Sequence, residues 1–515
     1  MLFFIWYTEK DAISKIDDIL QAIFIGLVVA TFLLNTARAL KATEVCKECL
    51  MLLNNKVLRT EEKIFNILHI SSYETTFRAY CLIPDHTKAQ ICGRKLLDIY
   101  RKCGKKDNEL DLTVKLANIY REEYKYIEAR ELYECAVNIT KQMGDRKNEA
   151  YTNEQVGIIS HCLGDYNNAK KYFKKALAIR IQIGDKMREA ADYENLGTVF
   201  QSLGEYGKAK ECLEKALAIT IQFRDKIGEA SSYGKLGTVF KSLGQYDKAK
   251  AYLEKALAIR IYIKDKEGEA SSCGSLGTVF QCLGQYDEAK EYLEKALAIG
   301  IQIGDKQGLA TTYGNLGNVN MSLGDYDKAK ECYEKTLAIK IQIGDRNGEA
   351  SSYGNLGALF QLLGEYDKAK EYLERALAIK INVGDKQGEA TLYGNLGTVF
   401  TYLSQYEKAE EYLEKALAIK LQIGDKNGEA TMYGNLGTVF SYLGEYNKAK
   451  EYLEKALAIR IHLGDKEGEA TSYGNLGTVF TSLAQYDKAK EYLEKALAIR
   501  IHIGDKKGES NSYGT

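Results

Sequence analysis

Proline is all but missing from this chain: of its 515 residues only Pro84 is one. A disordered or linker-rich protein is thereby disfavoured, because such chains are enriched in proline. Charge of one sign is missing too. Lys+Arg and Asp+Glu stand at 71 each, for a formal net charge of zero. A nucleic-acid binder would normally show a basic surplus, so that class is set aside. Histidine is scarce, and none of His69, His86, His161, His462 and His502 belongs to an HExxH or a triad-like grouping. The recurring GDKxGEA segments lack GxxxxGK and follow no strand pattern, so they are not phosphate loops. No catalytic residue, metal site or cofactor is expected, and the chain reads as a non-enzyme.

Cysteine is present but unpatterned. The eleven cysteines form an odd set with no spacing that suggests a disulfide ladder. Most stand in slots filled elsewhere by other residues: Cys212 and Cys332 where Tyr252 and Tyr292 sit, Cys273 where Tyr233 sits, Cys162 and Cys282 where Ser202 sits. They read as packing residues in a reducing compartment. Cys46 and Cys49 make a lone CxxC without the second ligand pair that a metal site needs.

What the chain has in abundance is itself. From Asp185 the sequence runs DKMREAADYENLGTVFQSLGEYGKAKECLEKALAITIQFR, and 40 residues later it begins again. Ten such units cover 105–504, and residues 65–104 carry a degraded copy in which Ala89, Leu96 and Gly104 fall on the lattice. A chain this long is too large for one ordinary core, and a fixed period of this size points to a stacked array. Each unit holds two helical patterns. In the unit from 185, Ala190, Tyr193, Leu196, Gly197 and Phe200 recur at three- and four-residue spacing. Leu203-Gly204 interrupts, and a second stripe follows through Tyr206, Ala209, Leu213, Ala216, Leu217 and Ile219. A Gly-Asp pair such as Gly184-Asp185 then ends one helix with a residue suited to positive φ and caps the next. Gly197, Ala209 and Ala216 sit where larger side chains would hold two helix backbones apart.

The order aromatic, Leu-Gly, aromatic, Gly-x-Tyr, Ala, Leu, Ala resembles the tetratricopeptide repeat. Those slots are Tyr193, Leu196-Gly197, Phe200, Gly204, Tyr206, Ala209, Leu213 and Ala216. The familiar form has 34 residues and a proline that ends the second helix. Here that slot is Ile221, and the second helix runs on by about a turn and a half. This longer form is similar to that of the Pins-like G-protein-signalling modulators and, more loosely, the kinesin light chains. The resemblance implies an all-α, right-handed superhelical solenoid of antiparallel helix hairpins. It also implies an interaction scaffold that holds extended or helical segments of partner proteins in a concave groove lined by the first helices.

In that family the residue before Leu-Gly tends to face the groove. It is Asn195, Asn315, Asn355, Asn395, Asn435 and Asn475, with Lys235 and Ser275 as exceptions. An amide offers both a donor and an acceptor to a peptide backbone. Thr198, Thr398, Thr438 and Thr478, after Leu-Gly, are expected beside it. The competing reading is that the asparagines bond to neighbouring helices and only fix the stacking. Relatives that clamp a carboxylate tail carry a base two places before Leu-Gly. Those slots here are Glu194 and then glycine from Gly234 to Gly474, so a tail clamp is not expected.

The ends differ. Residues 1–18 form an N-terminal segment, and 19–37 hold no charge across nineteen residues, the lower limit of a membrane span. Two readings stay open for 19–37: an anchor, or a helix capping the divergent region 38–104. If it is an anchor, Arg38, Lys41 and Lys47 place the repeats on the cytosolic side; a cytoplasmic location is expected either way. Residues 505–515 begin a further unit and stop before its Asn-Leu-Gly. The alternatives to a plain scaffold are therefore a membrane-tethered recruitment adaptor and the regulatory arm of a longer signalling protein or enzyme.

Close helix approach makes a direct prediction. Ala329→Trp overpacks the contact between two helices and costs ~1–3 kcal/mol or more. The thermal melt of the variant falls accordingly, and an unchanged melt refutes the assignment.

Overall fold

The computed structural model describes residues 16–53 and 62–503, and among these the structure is 24 helices with no strand. The truncated unit expected at 505–515 and most of the N-terminal segment lie outside the described residues. The chain divides into two compact units, residues 1–256 and 257–515.

The first unit opens with α1 (Ile16–Asn35), α2 (Ala39–Leu53), α3 (Glu62–Leu82) and α4 (His86–Lys102). Each packs on the next, and α1 also reaches α3. Every third or fourth residue of α1 is buried: Ile19, Ile23 and Leu27 against Cys49, Leu53 and Leu68, and Ala30 and Leu34 against Ala42, Cys46 and Ala79. The anchor reading of 19–37 is corrected here. No helix among the described residues is long and apolar enough to cross a membrane. The helix ends at Asn35, Ala37 turns the chain at φ 58°, and one face is spent on protein packing. Cys46 and Cys49 are buried, and burial pushes their thiols up to about 11 and about 12, so they stay protonated packing groups. In α4, Ala89 and Leu96 are buried, and Gly104 follows at φ +66°.

The repeats follow as hairpins, and their joints show why the sequence folds as it does. In the second unit, the hairpin from 385 pairs Lys386–Tyr402 with Tyr406–Ile423. Asp385 caps the first helix by accepting from the Gly388 N–H at 2.9 Å. A Cβ on Gly388 would lie 2.7 Å from the Asp385 carboxylate, so glycine leaves room for the cap. The last turn of several second helices sends a cation forward across the joint. Lys380 Nζ meets Asp385 at 2.7 Å and Lys420 Nζ meets Asp425 at 2.8 Å. Arg460 instead donates to the Gly468 carbonyl and the Ser472 hydroxyl at 2.8 and 2.9 Å. Burial works against the charge on Asp425, but Lys420 and the Gly428 N–H prevail and hold its carboxyl below the usual range.

The two helices of a hairpin meet at the Leu-Gly pair. A Cβ on Gly397 would stand 2.6 Å from Leu413 Cγ and 3.3 Å from the Ala409 carbonyl oxygen. The first unit repeats the arrangement, with Gly197 at 2.7 Å from Leu213 Cγ and 3.4 Å from the Ala209 carbonyl oxygen. Ala209, Ala216 and Ala329 are all fully buried. Around these crossings Leu396, Val399, Phe400, Ala409, Leu413 and Ala416 join one continuous core that runs from Ala329 to Ala489.

The first unit also buries charge. Arg180 lies 2.5 Å from Glu154 and 2.7 Å from Asp192, and all three are buried. Arg180 also donates to the Arg188 carbonyl at 3.1 Å, while its approach to Asp192 lacks the alignment of a hydrogen bond. Burial therefore outweighs Arg180 and pushes the Asp192 carboxyl up to about 7.

Two outcomes are expected. Asp385→Ala removes a cap and costs about 1 kcal/mol, seen as faster amide exchange in the first turn after residue 385; unchanged exchange refutes the role. For Asp192, the folded chain holds its proton more tightly than the unfolded one. Its contribution is full below the ordinary value of 3.8 and is lost as pH rises through about 7. Asp192→Ser, the residue of slots 232 and 272, flattens that fall in urea midpoints between those limits. A fall as steep as in the parent chain sinks the assignment.

Candidate functional site

The first helix of each hairpin turns about 100° per residue, so positions i, i+4, i+7 and i+11 share one face. In the hairpin from 385 those are Thr391, Asn395, Thr398 and Tyr402. Thr391 and Tyr402 are exposed and Asn395 and Thr398 half-buried. The side is set by what the opposite one must do: Leu396, Gly397, Val399 and Phe400 are buried in the hairpin. Several consecutive first helices touch within each unit, for example those from 385 and 425 in the second, so these faces lie side by side.

Asn195, Asn315, Asn355, Asn395, Asn435 and Asn475 are all half-buried on this face. Among the described residues none of the six amides makes a hydrogen bond to another side chain or to the backbone. The threonines behave differently. Thr198, Thr398, Thr438 and Thr478 each donate to the carbonyl four residues back in their own helix, at 3.1, 3.1, 3.1 and 3.2 Å. Their hydroxyl hydrogens are used locally, as is common for threonine inside a helix. The asparagines carry unsatisfied donors, and the threonines beside them keep only acceptor capacity.

The exception at Lys235 has a partner in the first unit. Its Nζ lies 2.7 Å from Glu194, whose carboxylate also accepts from Ser231 and Ser232 at 2.9 and 2.6 Å. The two departures from the Gly-Asn pattern, one in each of two consecutive hairpins, thus neutralise each other. In the second unit the corresponding four positions carry no Asp, Glu, Lys, Arg or His. They read Ser271, Ser275, Thr278, Cys282; Thr311, Asn315, Asn318, Ser322; Ser351, Asn355, Ala358, Leu362; Thr391, Asn395, Thr398, Tyr402; Thr431, Asn435, Thr438, Tyr442; and Thr471, Asn475, Thr478, Ser482.

Charge is held on the second helices, largely in pairs. Lys415 bonds Glu411 at 2.6 Å and lies over the rings of Tyr393 and Tyr412. Among the described residues no group of three His, Cys, Asp or Glu could hold a metal ion.

One part of this face escaped the sequence reading. Leu362, Tyr402 and Tyr442 occupy the slot of Ser202, and they are 57%, 57% and 63% exposed. The slot was visible through Cys162 and Cys282, which substitute there, but it read only as packing. Tyr402 and Tyr442 are the signal that it is more.

The tetratricopeptide repeat profile matches seven overlapping windows: 148–222, 191–261, 228–302, 308–382, 348–422, 388–462 and 428–501. Among curated protein sequences none matches the chain. Of the solved structures, the STAND signal-transduction ATPase with a tetratricopeptide repeat sensor from Pyrococcus horikoshii is 16% identical, with a TM-score of 0.51. That match covers 74% of this chain and only 55% of the ATPase. BtubC from P. vanneervenii is 27% identical over 43% of this chain and 91% of its own, with a TM-score of 0.39. A putative kinesin light chain repeat protein of P. anserina is 24% identical over 39% of this chain and 98% of its own, at 0.33. The helix pairs, the Gly-to-Leu crossings and the profile matches over more than half of the sequence agree: the chain belongs to the tetratricopeptide repeat family.

Proposed function

We propose that the chain is an interaction scaffold that holds an extended, uncharged segment of a partner protein along the first-helix faces of residues 305–482. One observation carries this reading. Asn315, Asn355, Asn395, Asn435 and Asn475 are accessible amides without intramolecular hydrogen bonds, set on faces whose one charged side chain is Glu467 in the first turn of the last hairpin. An extended backbone presents alternating N–H and C=O groups, and a row of amides satisfies both with little demand on side chains. A strongly charged segment would be desolvated there without a counter-charge. The absence of a base at Gly314, Gly354, Gly394, Gly434 and Gly474 argues in the same direction against a carboxylate tail. The eleven unpaired cysteines fit a reducing compartment, so the same proposal places the scaffold in the cytoplasm.

Fluorescence anisotropy tests it with acidic, neutral and basic peptides of about twelve residues, a length that spans the face at about 3.3 Å per residue. The neutral peptide binds tightest and with little salt dependence. Asn355→Ala/Asn395→Ala weakens it about tenfold, the loss of two hydrogen bonds of ordinary size. Equal affinity for the double variant refutes the role of the amides.

A further inference from the structure

We infer that Leu362, Tyr402 and Tyr442 form an apolar rail beside the amides that selects a partner segment with an apolar side chain at every third residue. The inference rests on the reading that the partner lies along these faces, and it adds which partner. Each rail residue stands seven positions after an asparagine, at Asn355, Asn395 and Asn435, so it projects on the same helix face two turns further on. The rings are held in place. Tyr402 stacks on Tyr366 of the preceding hairpin, with centroids 5.0 Å apart and planes 6° from parallel. Tyr442 stacks on Tyr406 at 5.7 Å and 13°. Fixed rings lose little conformational freedom on binding, which is what a recognition surface needs.

The spacing names the partner. Packed helices lie ~8–10 Å apart, so the rail repeats at about that distance. A β-strand would return to the same side every second residue, after ~6.6 Å, whereas a polyproline II helix returns every three residues after ~9.3 Å, the step that matches the rail. Three residues therefore step from one rail side chain to the next. The rail is three hairpins long, because the same slot on either side is Ser322 and Ser482. It reads three apolar side chains while the amides hold the backbone between them. The exposed Glu365 and Glu445 at the start of two second helices are ion-paired within the turn to Lys368 and Lys448.

The test uses the full chain and two fluorescein-labelled peptides of one composition on a serine-threonine background. One carries leucine at every third position and the other at every fourth. The wild-type chain is expected to bind the third-spaced peptide about tenfold more tightly, the size of two aromatic contacts. Tyr402→Ser/Tyr442→Ser, which installs the residue this chain already tolerates at 322 and 482, brings the ratio to about one. Circular dichroism melts report that the variant stays folded. Equal binding of the two peptides by the wild type, or a preference that survives the serine substitutions, overturns the inference. Asn355→Ala/Asn395→Ala separates the two ideas. If that variant alone weakens binding, the amide reading stands and the rail falls; if the serine variant alone does, the reverse holds. Sedimentation of the free chain closes the remaining route: self-association that the tyrosine substitutions abolish makes the rail a contact between copies and overturns the inference.

Discussion

Most hairpins depend on one crossing, where the glycine of the first helix lets a large side chain of the second, usually leucine, lie almost against the first helix's backbone. At Gly357 an added Cβ would come 2.7 Å from Leu373 Cγ and 3.3 Å from the Ala369 carbonyl oxygen, and at Gly437 the distances to Leu453 and Ala449 are 2.6 and 3.2 Å. So close an approach fixes the rotation of both helices. Once Gly437 and Leu453 touch, Leu436, Val439 and Phe440 must point inward, and Asn435, Thr438 and Tyr442 are left outside. The proposed binding face is thus a by-product of the packing constraint. Its polar character is what the helix can vary without disturbing the crossing.

The joints serve the same end by a different force. At 388 and 428 the capping aspartate faces a glycine with no Cβ to crowd it, and Lys380 and Lys420 in the preceding turn bond its carboxylate. Gly384 and Gly424 take φ +78° and +74° to send the chain into the next hairpin. Three weak local devices, each contributing on the order of 1 kcal/mol or less, recur at joint after joint. In a stacked array such terms add along the chain, so modest local energies support a long structure.

Most of the fold was legible because the repeat supplies its own comparison. A slot that is glycine at 197, 237, 277 and 317 announces a steric limit, and the Gly-Asp pair announces a helix end. The asparagine slot was legible for the same reason. What escaped were the interactions made by single departures. Asp192 stands where later units carry Ser232 and Ser272, and its pairing with Arg180, beside Glu154, arises only when the stack brings the three together. Lys235 and Glu194 are a second case. For α1 the residues alone left two outcomes, because an uncharged run suits lipid and protein equally. One face is buried against Cys49, Leu53 and Leu68, and no described helix is long and apolar enough to cross a membrane.

Near-identical units raise the question whether duplication alone accounts for the face. The units from 385, 425 and 465 share Tyr-Gly-Asn-Leu-Gly-Thr-Val-Phe without change, yet the slot two residues after that phenylalanine reads Tyr402, Tyr442 and then Ser482. It lies in the last turn of the first helix, away from the crossing and outside the core, so packing does not dictate its identity. The slot at 392, 432 and 472 changes in step, from Leu392 and Met432 to Ser472. Leu392 and Met432 are buried, where they cover Gly354 and Gly394 of the hairpins before them. The hairpins that present an aromatic ring are thus the ones seated on their predecessors by a large apolar side chain. A bare copy of one unit would have carried both slots unchanged. The joint change sets the middle of the second unit apart from its edges, and it does so on a face that the scaffold's own packing leaves free.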